Sequence, residues 1–151
     1  MYSLQATQSK LIISPVSRTA GHTQVGFIDC RDAGEAKIDV AVSDIATVGT
    51  ASATGGSISL MEAADTNVSN GTTIVADRTG LKNERLVTYH VDTRLMARYA
   101  HVKFTAGSAG VSNETQIVSV TGTLGRLAAQ PTSTGGMVSG LSNSVAVLVV
   151  G

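Results

Sequence analysis

Three histidines, one cysteine and a scatter of carboxylates are the residues of this 151-residue sequence with the chemistry to bind metal or catalyse. His90 and His101 fall on outward positions of two alternating runs, Leu86–Val91 and Tyr99–Thr105. On neighbouring strands they would face each other across the pair, and Asp92 would supply a third ligand of the kind zinc takes. The same positions suit a plain polar sheet face, and that is the reading adopted: no metal. Cys30 stands alone, so no disulfide can form within the chain. It lies in the apolar run Val25–Cys30, which predicts a buried, inert thiol. The carboxylates Asp29, Asp32, Asp39, Asp44, Glu62 and Asp65 gather near turns. A glycosidase pair among them would need aromatic rings to hold a sugar, and the chain has no tryptophan and only 3% aromatics. Phosphate-binding, Gly-x-Ser-x-Gly and Cys-x-x-Cys signatures are missing, and Gly107–Gly110 lacks the strand-to-helix setting that phosphate binding needs. The expectation is a non-enzyme with no catalytic residues and no cofactor.

The elements that must position these residues are strands. Ala100, Val102 and Phe104 alternate with Tyr99, His101, Lys103 and Thr105, and Val87, Tyr89 and Val91 alternate with polar neighbours. A period of two marks a strand with one face on a core. These two runs read as a strand pair joined by a polar corner at Asp92–Arg94, with the other strands packed against it. Glu35–Ser43 is the cleanest alternation, with Ala36, Ile38, Val40 and Val42 on one side. Further strands are expected at Leu11–Ile13, Val25–Cys30, Ser57–Glu62, Thr72–Ala76 and Gln116–Leu124. Pro15 should stop regular pairing, Asn70-Gly71 is a hairpin signal, and Arg78–Glu84 reads as a polar link. Met61–Ala64 and Leu95–Ala97 could form single helical turns, but nothing carries a helical period. About eight short strands with glycine-rich joints predict an all-β fold, an antiparallel β-sandwich (jelly-roll-like or a related barrel) with extended termini.

Length favours one domain with a core of its own. Acidic and basic residues balance at 11 each, which provides no electrostatic footprint for nucleic acid or an anionic membrane. Charged residues make up only 15% of the chain, little for a protein kept apart from its neighbours by charge, and this points to one that works assembled. No charged-then-apolar leader opens the sequence, so a secretory signal is not expected. The apolar run Val145–Val150 is far too short to span a bilayer.

Residues 1–130 read as the sandwich with an N-terminal arm, and residues 131–151 as a glycine- and serine-rich linker followed by an apolar strand. That strand either completes the sheet of another subunit or is the last strand of this one. Val145, Val147, Leu148 and Val149, with Leu11 and Ile13, are the candidate partner-interface residues.

Five segments in order resemble the capsid decoration, or cement, proteins of tailed-phage heads. They are Phe27-Ile-Asp-Cys-Arg31, Ala36–Ser43, Leu60-Met-Glu-Ala-Ala-Asp65, Arg98-Tyr-Ala-His-Val102 and Leu124-Gly-Arg126. The likeness spans roughly residues 24–130 and is specific only in combination. It departs from the family in having Ala63 where a serine is usual, and in the extra C-terminal segment. The resemblance implies a structural virion protein, made in the host cytoplasm. It would bind the major capsid protein at subunit junctions on the capsid surface, and assemble with itself as a dimer or trimer. A tail or baseplate β-sandwich and a carbohydrate-binding receptor module are the alternative functions.

Overall fold

A computed structural model describes residues 8–31, 33–45, 54–81, 85–108, 114–125 and 147–150. Nine strands appear among them: β1 (Gln8–Thr19), β2 (Thr23–Asp29), β3 (Glu35–Val42), β4 (Gly56–Ala63), β5 (Thr72–Leu81), β6 (Arg85–Asp92), β7 (Tyr99–Thr105), β8 (Thr115–Gly125) and β9 (Val147–Val150). They form two antiparallel sheets, a five-stranded one ordered β1-β8-β3-β6-β9 and a four-stranded one ordered β2-β7-β4-β5. The fold is an all-β sandwich, as the alternation predicted.

The core is the alternating set. Ile38, Val40, Val87, Val118 and Val120 from the larger sheet meet Ile58, Leu60, Val102 and Phe104 from the smaller one, and all are essentially without solvent exposure. The strand period turns every second side chain inward, so burying one face of each sheet is enough to fix the register of the whole stack. Two inward positions are glycine for steric reasons. A Cβ on Gly26 of β2 would strike the Ile12 carbonyl, and one on Gly122 of β8 would come within 2.7 Å of Ile28 and 2.8 Å of Ile12. Their absence of side chains lets β1 close over that edge of the sandwich. At the end holding the β7–β8 connection, the buried Gln116 amide bridges both sheets. Its oxygen accepts from Gly107 N at 3.1 Å, while its nitrogen donates to Leu81 O at 2.7 Å and Ser43 O at 3.0 Å. A buried amide satisfied on both ends acts as a cross-brace.

Several local expectations are corrected. β6 and β7 are not a pair: they lie in opposite sheets, and only β4–β5 is a hairpin of consecutive strands among the described elements. The crossover is built at the corner. Asp92 caps a 3₁₀ turn at Thr93–Leu95, and the Thr93 hydroxyl donates to Ala33 O at 2.5 Å, which ties the corner to the start of β3. Pro15 does not end β1, because β1 is an edge strand; the ladder with β8 shifts register between Ile13 and Val16 and then resumes. Asn70-Gly71 does fall in the connection of the β4–β5 hairpin, but not as a two-residue turn: Gly71 has φ −76° and closes a 3₁₀ turn at Val68–Asn70. β5 runs on to Leu81 through what reads as a polar link, with irregular pairing and Gly80 at φ +77° absorbing the extra residues. Met61–Ala63 belongs to β4, so no helical turn forms there.

Candidate interaction surface

Three of the segments quoted above sit side by side on the outer face of the four-stranded sheet. Phe27 of β2 is the register partner of His101 of β7, which in turn pairs with Met61 of β4; one pair further along, Asp29, Tyr99 and Ala63 are in line. Strand order β2-β7-β4 therefore gathers positions 34 to 74 residues apart in sequence onto one surface.

That surface is aromatic and ionic. The Phe27 ring meets Tyr99 edge-on at 5.8 Å between centroids and lies 5.6 Å from His101. Arg98 places its guanidinium 4.7 Å from the Tyr99 ring centre and binds Asp29 in a fork, Nη2 to Oδ2 at 2.6 Å and Nε to Oδ1 at 3.0 Å. This fork holds the Asp29 carboxyl down at about 2, helped by Arg31 N donating to Oδ1. Phe27 stays 45% exposed, an unusual position for a large ring with no cover. One face of Tyr99 is taken by Arg98, which leaves Phe27 as the open aromatic of the cluster.

His101 is the exception on this face. Its position points outward, yet it is 0% exposed. The turn after β4 folds over it: Asp65 accepts from Asn67 N and from Asn70 Nδ2, each at 2.9 Å, and Asn67 caps the 3₁₀ turn through Ser69 N at 3.0 Å. These bonds keep the Asp65 carboxyl below its ordinary range, the Asn70 amide contributing most. They also set the Asp65 carbonyl 3.0 Å from His101 Nε2, while Nδ1 is buried with no hydrogen-bond partner. Nearby, Glu62 accepts from Ala97 N at 2.6 Å and ties the end of β4 to the approach to β7.

The metal constellation does not assemble. His90 is on β6 in one sheet and His101 on β7 in the other, because the corner between them changes layer. The Asp92 carboxylate is engaged by Arg94, at 2.9 Å to Nε and 2.6 Å to Nη2. Among the described residues no three histidine, cysteine or acidic groups come together. Cys30 is buried, and burial pushes its thiol up to about 11.

The proposed interface residues are dispersed. Val147, Leu148 and Val149 lie in β9, paired with Val91, His90 and Tyr89 of β6 in the same chain. Leu11 is 56% exposed on β1, at the opposite edge of that sheet. Ile13 is a correction: it is buried in the chain's own core, because the register shift at the β1 bulge turns it inward, and it offers nothing to a partner. Val145 lies outside the described residues. Sequence reasoning missed Phe27, Asp29 and Arg98 as site residues. The outward placement of Tyr99 was legible from alternation, but its neighbours depend on strand order. An apolar dent lies on the outer face of the other sheet, where Leu86, Ala41 and Ile117 sit among Arg85 and Ser119.

No family model matches this sequence, and no curated protein matches it.

Proposed function

We propose that this chain is a structural protein of a phage virion that binds the outside of the capsid at junctions between major capsid proteins and stiffens the shell. The observation that carries this reading is the convergence of three decoration-like segments, Phe27–Arg31, Leu60–Asp65 and Arg98–Val102, on adjacent strands. They form one outer face, partly covered by the turn after β4, with a single open ring, Phe27, beside a pre-ordered Arg98–Asp29 fork. A ring flanked by an oriented guanidinium is the composition that dominates protein–protein binding energy. The balance of charge over the whole chain supports the same reading, since a neutral protein can pack densely on a lattice without self-repulsion.

The test is co-sedimentation of the purified chain with expanded, DNA-free capsids built from the major capsid protein encoded alongside it. Saturable binding is expected, with Phe27→Ala and Arg98→Ala each weakening it tenfold or more, about 1.4 kcal/mol or more. No binding to the capsid overturns the reading. Binding that ignores both substitutions removes this face from the interface.

A further inference from the structure

We propose that Asn70 is a modification site: deamidation there, with water as the only co-reactant, converts its side-chain amide to a carboxylate and releases the turn that covers His101.

The chemistry starts from the sequence. Asn70-Gly71 is the single Asn-Gly pair in the chain. An asparagine is thermolabile because the backbone nitrogen of the next residue can attack its Cγ, and a glycine there has no Cβ to obstruct the approach. Gly71 N gives up its proton to solvent and bonds to Asn70 Cγ, the side-chain nitrogen leaves as ammonia, and a cyclic imide closes. Water then adds to one of the two imide carbonyls and breaks its bond to the Gly71 nitrogen. Opening at the former side chain leaves a carboxylate there. Opening at the former backbone carbonyl leaves the carboxylate on Cα and carries the chain through Cβ. The sum is amide plus water to carboxylate plus ammonium, with no change of oxidation state.

The closed turn restrains both reacting groups. Gly71 N donates to Val68 O at 3.0 Å, and Asn70 Nδ2 donates to Asp65 Oδ2 at 2.9 Å. Cyclisation requires both bonds to break, so it proceeds through the molecules whose turn is open. Asn70 is exposed and lies outside the strands, where such local opening is easiest. The product does not close the turn again. A carboxylate at position 70 has no donor for Asp65 and lies against a group of like charge. In the isomer an extra methylene in the chain moves the Gly71 N–H away from Val68 O.

The cover over His101 is sensitive to this loss. The Asn70 amide is the chief partner of the Asp65 carboxylate, and the carbonyl of Asp65 lies 3.0 Å from His101 Nε2. Covering the ring leaves Nδ1 buried without a hydrogen-bond partner, a cost that the bonds of the turn must offset. Gly71 also seats against Met61, the register partner of His101: a Cβ on it would come within 3.1 Å of Met61 Cε. Opening the turn therefore uncovers His101 and more of Met61, beside the Phe27 ring. The conversion is a property of the chain alone; only its effect on binding through the Phe27 face rests on the capsid reading.

The experiment uses the full chain in solution without capsids. Folded protein is held warm at mildly alkaline pH, and peptide mapping follows the loss of ammonia and gain of water at each asparagine. Conversion is expected first at Asn70, and about tenfold or more faster in chain unfolded by urea than in folded chain. Equal rates in the two states, or an Asn70 that outlasts the other asparagines, overturn the proposal. Exposure of His101 is read from deuterium exchange at its ring Cε1, with the exposed His22 and His90 as internal references. Asn70→Asp should speed His101 exchange about threefold or more relative to His90. The double variant D65N/N70D restores an amide–carboxylate pair and should return it to the wild-type rate. In Asn70→Gln, whose longer side chain cyclises far more slowly, His101 exchange should stay constant through the incubation that raises it in wild type. His101 as protected in N70D as in wild type, or as open in D65N/N70D as in N70D, overturns the release of the turn. Failure of capsid binding leaves all of these readouts unaffected.

Discussion

The outer faces of the two sheets are written in the same alternating code and end up with different characters. On the five-stranded sheet the outward row is polar toward one end and aliphatic toward the other, where Leu86 and Ile117 are exposed. Lys37, Asp39, Thr88 and His90 lie open or half-open, with Asp39 accepting from Thr88 at 2.6 Å and paired with Lys37 at 2.9 Å. On the four-stranded sheet the outward row holds Phe27, Tyr99 and His101, and a capped turn covers part of it. The two histidines make the contrast sharp. His90 and His101 occupy equivalent outward positions, yet His90 is exposed and His101 is not exposed at all. Alternation decides which side of a sheet a residue faces. Whether that side meets water depends on what other parts of the chain are laid over it.

The largest effect should come from the layer the two sheets share. Phe104 is fully buried between them, and Phe104→Ala is expected to lower stability by about 3–5 kcal/mol. The denaturant midpoint reads this directly, and a near-normal midpoint would show that the sheets do not meet at Phe104.

The histidine contrast gives the next largest. His101→Ala removes a buried ring and its bond to the Asp65 carbonyl, and should cost about 2–4 kcal/mol. His90→Ala, on the open face, should stay within about 0.5 kcal/mol. Equal costs in urea titrations would erase the distinction between the two faces.

A pH series separates the faces more finely. Asp29 is held at about 2 in the folded chain, chiefly by Arg98, against an ordinary 3.8. A depressed carboxyl stabilises the fold above its unfolded value, and the contribution disappears as pH falls from about 3.8 through about 2. Thermal melts of wild type and Asp29→Asn should therefore differ at pH 7 and converge across that window. Asp39 on the other sheet is pushed up by desolvation, but the Thr88 hydroxyl and Lys37 outweigh it and leave it below its ordinary value. Asp39→Asn should show the same sign. A gap for Asp29→Asn that widens in acid would contradict the fork.

The smallest effect is kinetic. Cys30 is buried with its thiol near 11, so a disulfide-exchange reagent at pH 8 should modify it only as fast as the chain opens. Rapid labelling under native conditions would mean that the β2 end of the smaller sheet is loosely covered.

The sequence alone determined where the regularly alternating strands lie and which way they face. Ala36, Ile38, Val40 and Val42, like Ala100, Val102 and Phe104, are buried where a period of two places them, because side-chain alternation is a property of the extended backbone itself. Composition and turn residues sufficed for the class of fold, two antiparallel layers. Tertiary structure alone decided which strands are neighbours. β6 and β7 follow each other in the chain and lie in different sheets, with a capped 3₁₀ turn at the corner between them. No periodicity encodes that choice. The same holds for the Phe27–Tyr99–Arg98–Asp29 surface and for the burial of His101. Each depends on residues tens of positions apart, brought together by strand order and by a turn that folds back over the sheet, and a pattern read along the chain contains no term for either.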